Sequence, residues 1–303
     1  MPSSRRSLAA FVAILLLASA LAACAGDGPF AITSSGTQEL DAAVDSAGPD
    51  LNVRVEMFNG TIEVRAGAPD RIAATVSTTG AGGSKADAEV DRAKIRVSLD
   101  VNPDGSVLLR AIYQPDPSSP GNRAASAVVD VPPEAALDLR TSNGNVSSGG
   151  IAGPIQVGTS NGAVRLSEVV GGATVRTSNK EVEIDGSGAF DVETSNAAIV
   201  LRGEGATVRA RTSNATVDFD GTLSDAPQSL ETSNESIYVR LPAGASFGLD
   251  AQTSGGAHVV VTGFDVRTSG AVGGDTLQGT IGTGGPAITL RTSNANIEVR
   301  SLP

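Results

Sequence analysis

The chain has 303 residues, with 22 Lys plus Arg against 33 Asp plus Glu and a net charge of −11. That acidity argues against nucleic acid or an anionic membrane surface as a partner. A single cysteine excludes an intramolecular disulfide and a cysteine-based metal site.

Residues 1–23 read as a targeting segment. Arg5 and Arg6 form a basic start, and Leu8 to Ala20 is an apolar run too short to span a bilayer. Leu21-Ala22-Ala23-Cys24 resembles a bacterial lipobox, in which Cys24 carries the lipid and becomes the mature N-terminus. The expected location is therefore extracytoplasmic, with the chain held to the cell membrane by lipid at Cys24. Residues 24–50 are rich in Gly, Ala, Ser and Asp and read as a tether that becomes ordered toward its end.

Residues 51–130 read as an N-terminal β-rich cap. Leu51 to Met57 and Thr61 to Val64 alternate apolar and polar residues around an Asn59-Gly60 turn. Arg71 to Ser77 is a further strand, and Lys85 to Ala93 suits one or two helical turns. Ile95 to Val101 and Val107 to Tyr113 flank an Asn-Pro-Asp-Gly turn as a hairpin. Gln114 to Arg123 is a Pro- and Ser-rich loop, and Ala127 to Val131 is a strand. Pro132-Pro133 opens the next region.

Residues 131–303 are built on a repeat. Thr-Ser-Asn ends at Asn143, Asn161, Asn179, Asn196, Asn214, Asn234 and Asn294, and looser copies end at Gly255 and Gly270. A period near 18 to 20 residues marks a stacked-repeat architecture. Position −2 from each Asn is Thr: Thr141, Thr159, Thr177, Thr194, Thr212, Thr232 and Thr292. Positions −6 and −4 are mostly apolar, so −6, −4, −2 and 0 form the inward side of a strand. After the Asn, the inward side moves to +3 and +5, as in Val182 and Ile184, because a two-residue corner intervenes. A second corner near +7 completes one coil.

The fold class that follows is all-β, a single-stranded parallel β-solenoid of roughly 18–20-residue coils with rungs about 4.8 Å apart. The Thr and Asn columns point inward in this reading, and stacked Asn amides hydrogen-bond along the axis. Charges on the outward columns, such as Arg176, Glu193, Arg211 and Glu231 at −3, alternate to hold the register. The interior is thin, since Trp is absent and Phe plus Tyr number nine. The Gly255 and Gly270 copies are degenerate coils, Gly273 to Gly285 is an insertion, and Arg291 to Val299 is the final rung at an open edge.

Val131-Pro132-Pro133, then Leu137 to Gly144 with its Asn-ended rungs, resembles the bacterial putative-adhesin domains. Phe58-Asn59-Gly60-Thr61-Ile62-Glu63-Val64 is similar to their first turn. The resemblance implies a β-solenoid over about residues 40–303 and carries no catalytic residues with it.

No nucleophile, phosphate loop or metal spacing emerges, so no catalytic residue, metal or cofactor is expected. His258, the only histidine, falls at an inward +3 position and reads as a packing residue. Asp218 and Asp220 with Glu183 and Asp185 one coil earlier are the carboxylates an enzyme on polysaccharide would use. They also fit the alternating charge ladder. The expected function is a lipid-anchored, non-catalytic binding, adhesion or scaffold module of the cell envelope, with glycan or protein as ligand. A polysaccharide-acting enzyme and an envelope-stress sensor are the alternatives.

Overall fold

Alternation of apolar and polar residues produces two parallel sheets lying face to face. A computed structural model describes residues 15–17, 32–44, 50–114 and 122–302. Each coil contributes one strand before its Asn to a back sheet and one strand after it to a front sheet. In the back sheet Ile155–Gly158 pairs in parallel with Ala136–Arg140 on one side and Ala173–Arg176 on the other. In the front sheet Val164–Val169 lies between Val146–Gly149 and Val182–Gly186. The fold is the β-solenoid expected from the repeat.

The register sets columns of like residues. Val146, Val164, Val182, Ile199, Val217, Ile237 and Ile297 stack in the front sheet, all at most 1% exposed. The back sheet stacks Leu137, Ile155, Ala173, Phe190 and Val208. Phe190 fits because its neighbour in the column is Ala173. Phe219 fits because Gly203 leaves the space, where a Cβ would meet the ring at 2.9 Å. These columns fuse into one core from Leu40 to Val299. Full burial of each Val, Leu or Ile contributes about 1.5–3 kcal/mol.

One inward position is polar. Gln228 is buried where the preceding corner lengthens, and its side chain replaces backbone partners. Its Oε1 accepts from the Val208 N–H at 2.5 Å, and its Nε2 donates to the Ala226 carbonyl at 2.6 Å.

Winding begins earlier than Pro132. Asn52–Glu56 and Asn59–Ala66 form a true coil, pairing with Ala136–Arg140 and Val146–Gly149. The strands Val107–Tyr113 and Ala124–Val131 pair on the far side of that coil, although they follow it in sequence. The chain thus steps outward, then returns to lay its next coil on the inner side.

The C-terminal end repeats the manoeuvre. Gln228–Glu231 and Ile237–Pro242 pair with Ala287–Arg291 and Ile297–Leu302. Those last strands in turn pair with Phe247–Gln252 and Val259–Thr262. The Asn294 rung is therefore inserted between two coils and is not the open edge expected from the sequence. Backbone pairing on both sides, with Ile288, Leu290, Ile297 and Val299 buried, makes insertion favourable.

The Gly255 copy is a coil, with Thr253 1% exposed. The Gly270 copy is not. Val266–Val272 runs antiparallel to Thr276–Ile281, which runs antiparallel to Phe247–Gln252. The glycine-rich insertion thus holds a strand that extends the back sheet, and Val266–Val272 lies outermost.

At the other end, Ile32–Ala43 pairs antiparallel with Arg71–Gly82 along twelve residues, within the segment read as a tether. Leu15–Leu17 lies antiparallel to Thr37–Glu39. The helix Lys85–Arg92 packs on this pair, capped by Ser84, whose Oγ accepts from the Asp87 N–H at 3.2 Å.

Candidate functional site

The repeated tripeptide builds one long corner where back sheet turns into front sheet. Its three residues have three separate environments. The Thr side chains are 1–8% exposed. The hydroxyls of Thr141, Thr212, Thr232 and Thr292 donate to a carbonyl one coil back, at 2.8–3.1 Å. Thr177 and Thr194 are equally buried, yet their hydroxyls have no partner among the described residues. The Ser side chains face solvent, apart from the half-buried Ser178.

The Asn side chains are exposed, not inward as the alternation suggested. The two-residue corner begins at the Asn itself and turns its side chain out. The amides still stack. Asn161 donates to Asn143 at 2.6 Å, Asn179 to Asn161 at 2.7 Å, and Asn196 to Asn179 at 2.9 Å. Asn214, Asn234 and Asn294 continue at 2.7, 2.7 and 2.8 Å. Asn143 donates in turn to Asn59, an eighth member that lacks the Thr-Ser context. Gly255 ends the row, at a φ of 71°.

Charged residues line the flanking faces in pairs. Glu183 accepts from Arg202 at 2.6 Å and from Arg165 at 2.8 Å, which together hold its carboxyl below the usual range. Arg240 holds both Asp218 and Asp220, at 2.5 and 3.3 Å. The structure therefore places three of the four candidate enzyme carboxylates in ion pairs with arginine. Asp185 is exposed. His258 is also exposed and stands apart from them, because the Gly255 corner is one residue longer than the others and puts Val259, not His258, opposite the inward Ile297. Among the described residues no group of His, Cys, Asp or Glu is arranged to hold a metal.

Where the last four coils meet, the corner is concave. A groove of about 490 Å³ is lined by Arg211, Ser213, Glu231, Ser233, Gln252, Ser254, Arg291 and Ser293, above the Thr row. Arg211 pairs with Glu231 at 2.5 Å, and Arg291 with Asp250. Ser254 donates to the Ser293 carbonyl at 2.7 Å. The hydroxyls of Ser213, Ser233 and Ser293 have no partner among the described residues. Such a surface offers a row of hydroxyls and fixed charges with no aromatic platform, which suits a polar ligand bound without strong desolvation.

Sequence reasoning missed three residues that matter here. Asn59 was visible only as a turn. Gln228 was visible only as a polar residue at a −6 position. Asp91 carried no signal, yet it is buried and joins the helix to the cap. It accepts from Arg123 at 2.5 Å, Tyr113 at 2.6 Å and the Ala81 N–H at 3.1 Å. Burial raises its pKa, but these hydrogen bonds outweigh that and hold the carboxyl well below the usual range. Cys24 lies outside the described residues. Among the described residues no helix is long and apolar enough to cross a membrane.

A family model described as Toastrack DUF4097 matches residues 50–300. Among solved structures, a putative cell adhesion protein from Clostridium sporogenes is 12% identical, with a TM-score of 0.29. The match covers 88% of this chain and all of that one. A putative adhesin from Parabacteroides distasonis is 8% identical with a TM-score of 0.29, covering 88% of this chain and 97% of the other. No curated protein matches the chain.

Proposed function

The chain belongs to the Toastrack DUF4097 family, and from that premise we propose that it is a non-catalytic binding module anchored at the cell envelope. Cys24 carries the lipid, and the solenoid presents its corner to an envelope glycan or protein. The observation that carries this reading is the concave groove over the last coils, with its partnerless serine hydroxyls beside Arg211 and Arg291. Catalysis has less support. A general acid needs a raised pKa, whereas Glu183 is lowered by its two arginines.

The test is capture of isolated envelope fractions and a glycan panel by the purified chain, beside the variant Arg211→Ser/Arg291→Ser. Circular dichroism reports whether the variant is folded. Saturable capture that weakens several-fold in the folded variant supports the groove as the site. Equal capture by both places binding elsewhere, and capture at background removes the binding reading. Shortening of a glycan during incubation would instead favour an enzyme.

A further inference from the structure

The two ends of the front sheet differ. Its strand order runs from Ile32–Ala43, whose outer side is covered at Thr37–Glu39 by Leu15–Leu17, at one end to Val259–Thr262 at the other. The first carries Glu39 and Asp41 and has a helix packed beside it. Charges of this kind discourage edge pairing. Val259–Thr262 carries no charge, proline or bulge. It pairs with Ile297–Leu302 on one side and, among the described residues, with no strand on the other. Val260 is 42% exposed there, and Val272 in the neighbouring hairpin 63%.

Backbone geometry says which groups are left. His258 accepts from the Ile297 N–H at 3.0 Å, on the paired side, and Val259 donates outward to the Gly274 carbonyl at 2.9 Å. Residues two apart point the same way, so the N–H and C=O of Val261 also face outward. The outward N–H of Val259 is already taken by Gly274, which leaves Val261 as the one open outward residue, and an edge with one open outward residue is self-complementary. Two copies related by a two-fold axis at Val261 would exchange both hydrogen bonds across that residue, in the close antiparallel pair.

We infer that this edge is a homotypic contact, taken by the same strand of a second copy of this chain. The charged, helix-flanked opposite end offers no matching edge, so the contact closes as a two-fold dimer and does not grow into a fibre. The contact is small and therefore weak for a single pair, and many copies on one surface would supply the avidity. The arrangement places the two copies of Ile32–Ala43, the described strand that follows Cys24, at opposite ends of the dimer, and lipid attachment at Cys24 rests on the functional reading above. Such a pair would join two membranes.

The experiment is analytical ultracentrifugation of the chain lacking residues 1–24, which keeps every coil, beside Val260→Lys. That side chain points outward, so the variant keeps the core, and circular dichroism with a melting curve checks it. The expected result is concentration-dependent dimerisation that Val260→Lys weakens at least tenfold at unchanged melting temperature. A wild type that stays monomeric up to roughly 1 mM overturns the inference. So does dimerisation that the variant leaves unchanged, or growth into longer oligomers. The lipidated full chain is then loaded on two vesicle populations. Clustering by wild type and not by the variant supports bridging. Dimers in solution without clustering leave the contact standing and remove the bridging role.

Discussion

The Asn161 side-chain amide donates to the Asn143 carbonyl oxygen at 2.6 Å, across the gap between adjacent coils. The same bond recurs along the corner, so each interior Asn both donates and accepts. Asn179→Ala removes two such bonds at an exposed site. The expected loss is about 1–2 kcal/mol, and Asn294→Ala, which removes one toward Asn234, loses about half as much. Ser178→Ala is the control, with little change. Equal denaturation midpoints for all three would show that the row is passive.

The Thr row separates by hydrogen bonding. Thr232→Val removes a hydroxyl that donates to the Ala215 carbonyl at 2.9 Å and should cost about 1 kcal/mol. Thr177→Val has nearly the same shape but removes a buried hydroxyl with no partner. It should be neutral or stabilising. Denaturant titration of the two variants side by side checks the order, and a larger loss for Thr177→Val would contradict it.

Close stacking accounts for glycine after the Asn in the early coils. A Cβ at Gly162 would lie 1.7 Å from the Gly144 carbonyl oxygen, whereas one at Gly158 meets nothing within 4 Å. Gly162→Ala should destabilise by about 1–3 kcal/mol through forced displacement. Gly158→Ala should stay within about 0.5 kcal/mol of wild type. Thermal melts of both variants read the contrast.

Asp91 makes the cap sensitive to acid. Its folded pKa lies below the unfolded value, so its contribution is fully present above the unfolded value near 4. That contribution declines as pH falls further toward the folded pKa. Asp91→Asn should lose about 3 kcal/mol at neutral pH, because the charge-assisted bond between Asp91 and the largely buried Arg123 is lost. The difference from wild type should shrink below pH ~4. A difference that is constant with pH would mean that the carboxylate's charge is not what holds the helix.

Insertion of the last rung predicts an unusual truncation. In a sequential stack, removal of residues 286–303 would trim one coil and leave the rest. Here Phe247–Gln252 and Val259–Thr262 lose the strands that join them to the solenoid. Hydrogen exchange should show their amides becoming fast, while Val182–Gly186 stays protected. Retained protection in Phe247–Gln252 would contradict the inserted order.

The repeat by itself determined the coil length, the two corners, the apolar columns and the outward charges. Each follows from local alternation, as with Val182 and Ile184 inward and Glu183 outward. It also determined the Thr row, because Thr continues the strand's inward side. Only the tertiary structure decided which way the Asn faces. One residue of corner geometry moves a side chain between core and solvent, and alternation does not specify where the corner starts. Only the tertiary structure decided the order of the end coils. Ile297–Leu302 carries the same columns whether it lies last or between two coils, and the choice rests on which backbone edges are still unpaired when it docks. For the same reason Asn59 joined the amide row and Val259–Thr262 became the free edge. Both depend on contacts between segments far apart in the chain, which no local pattern encodes.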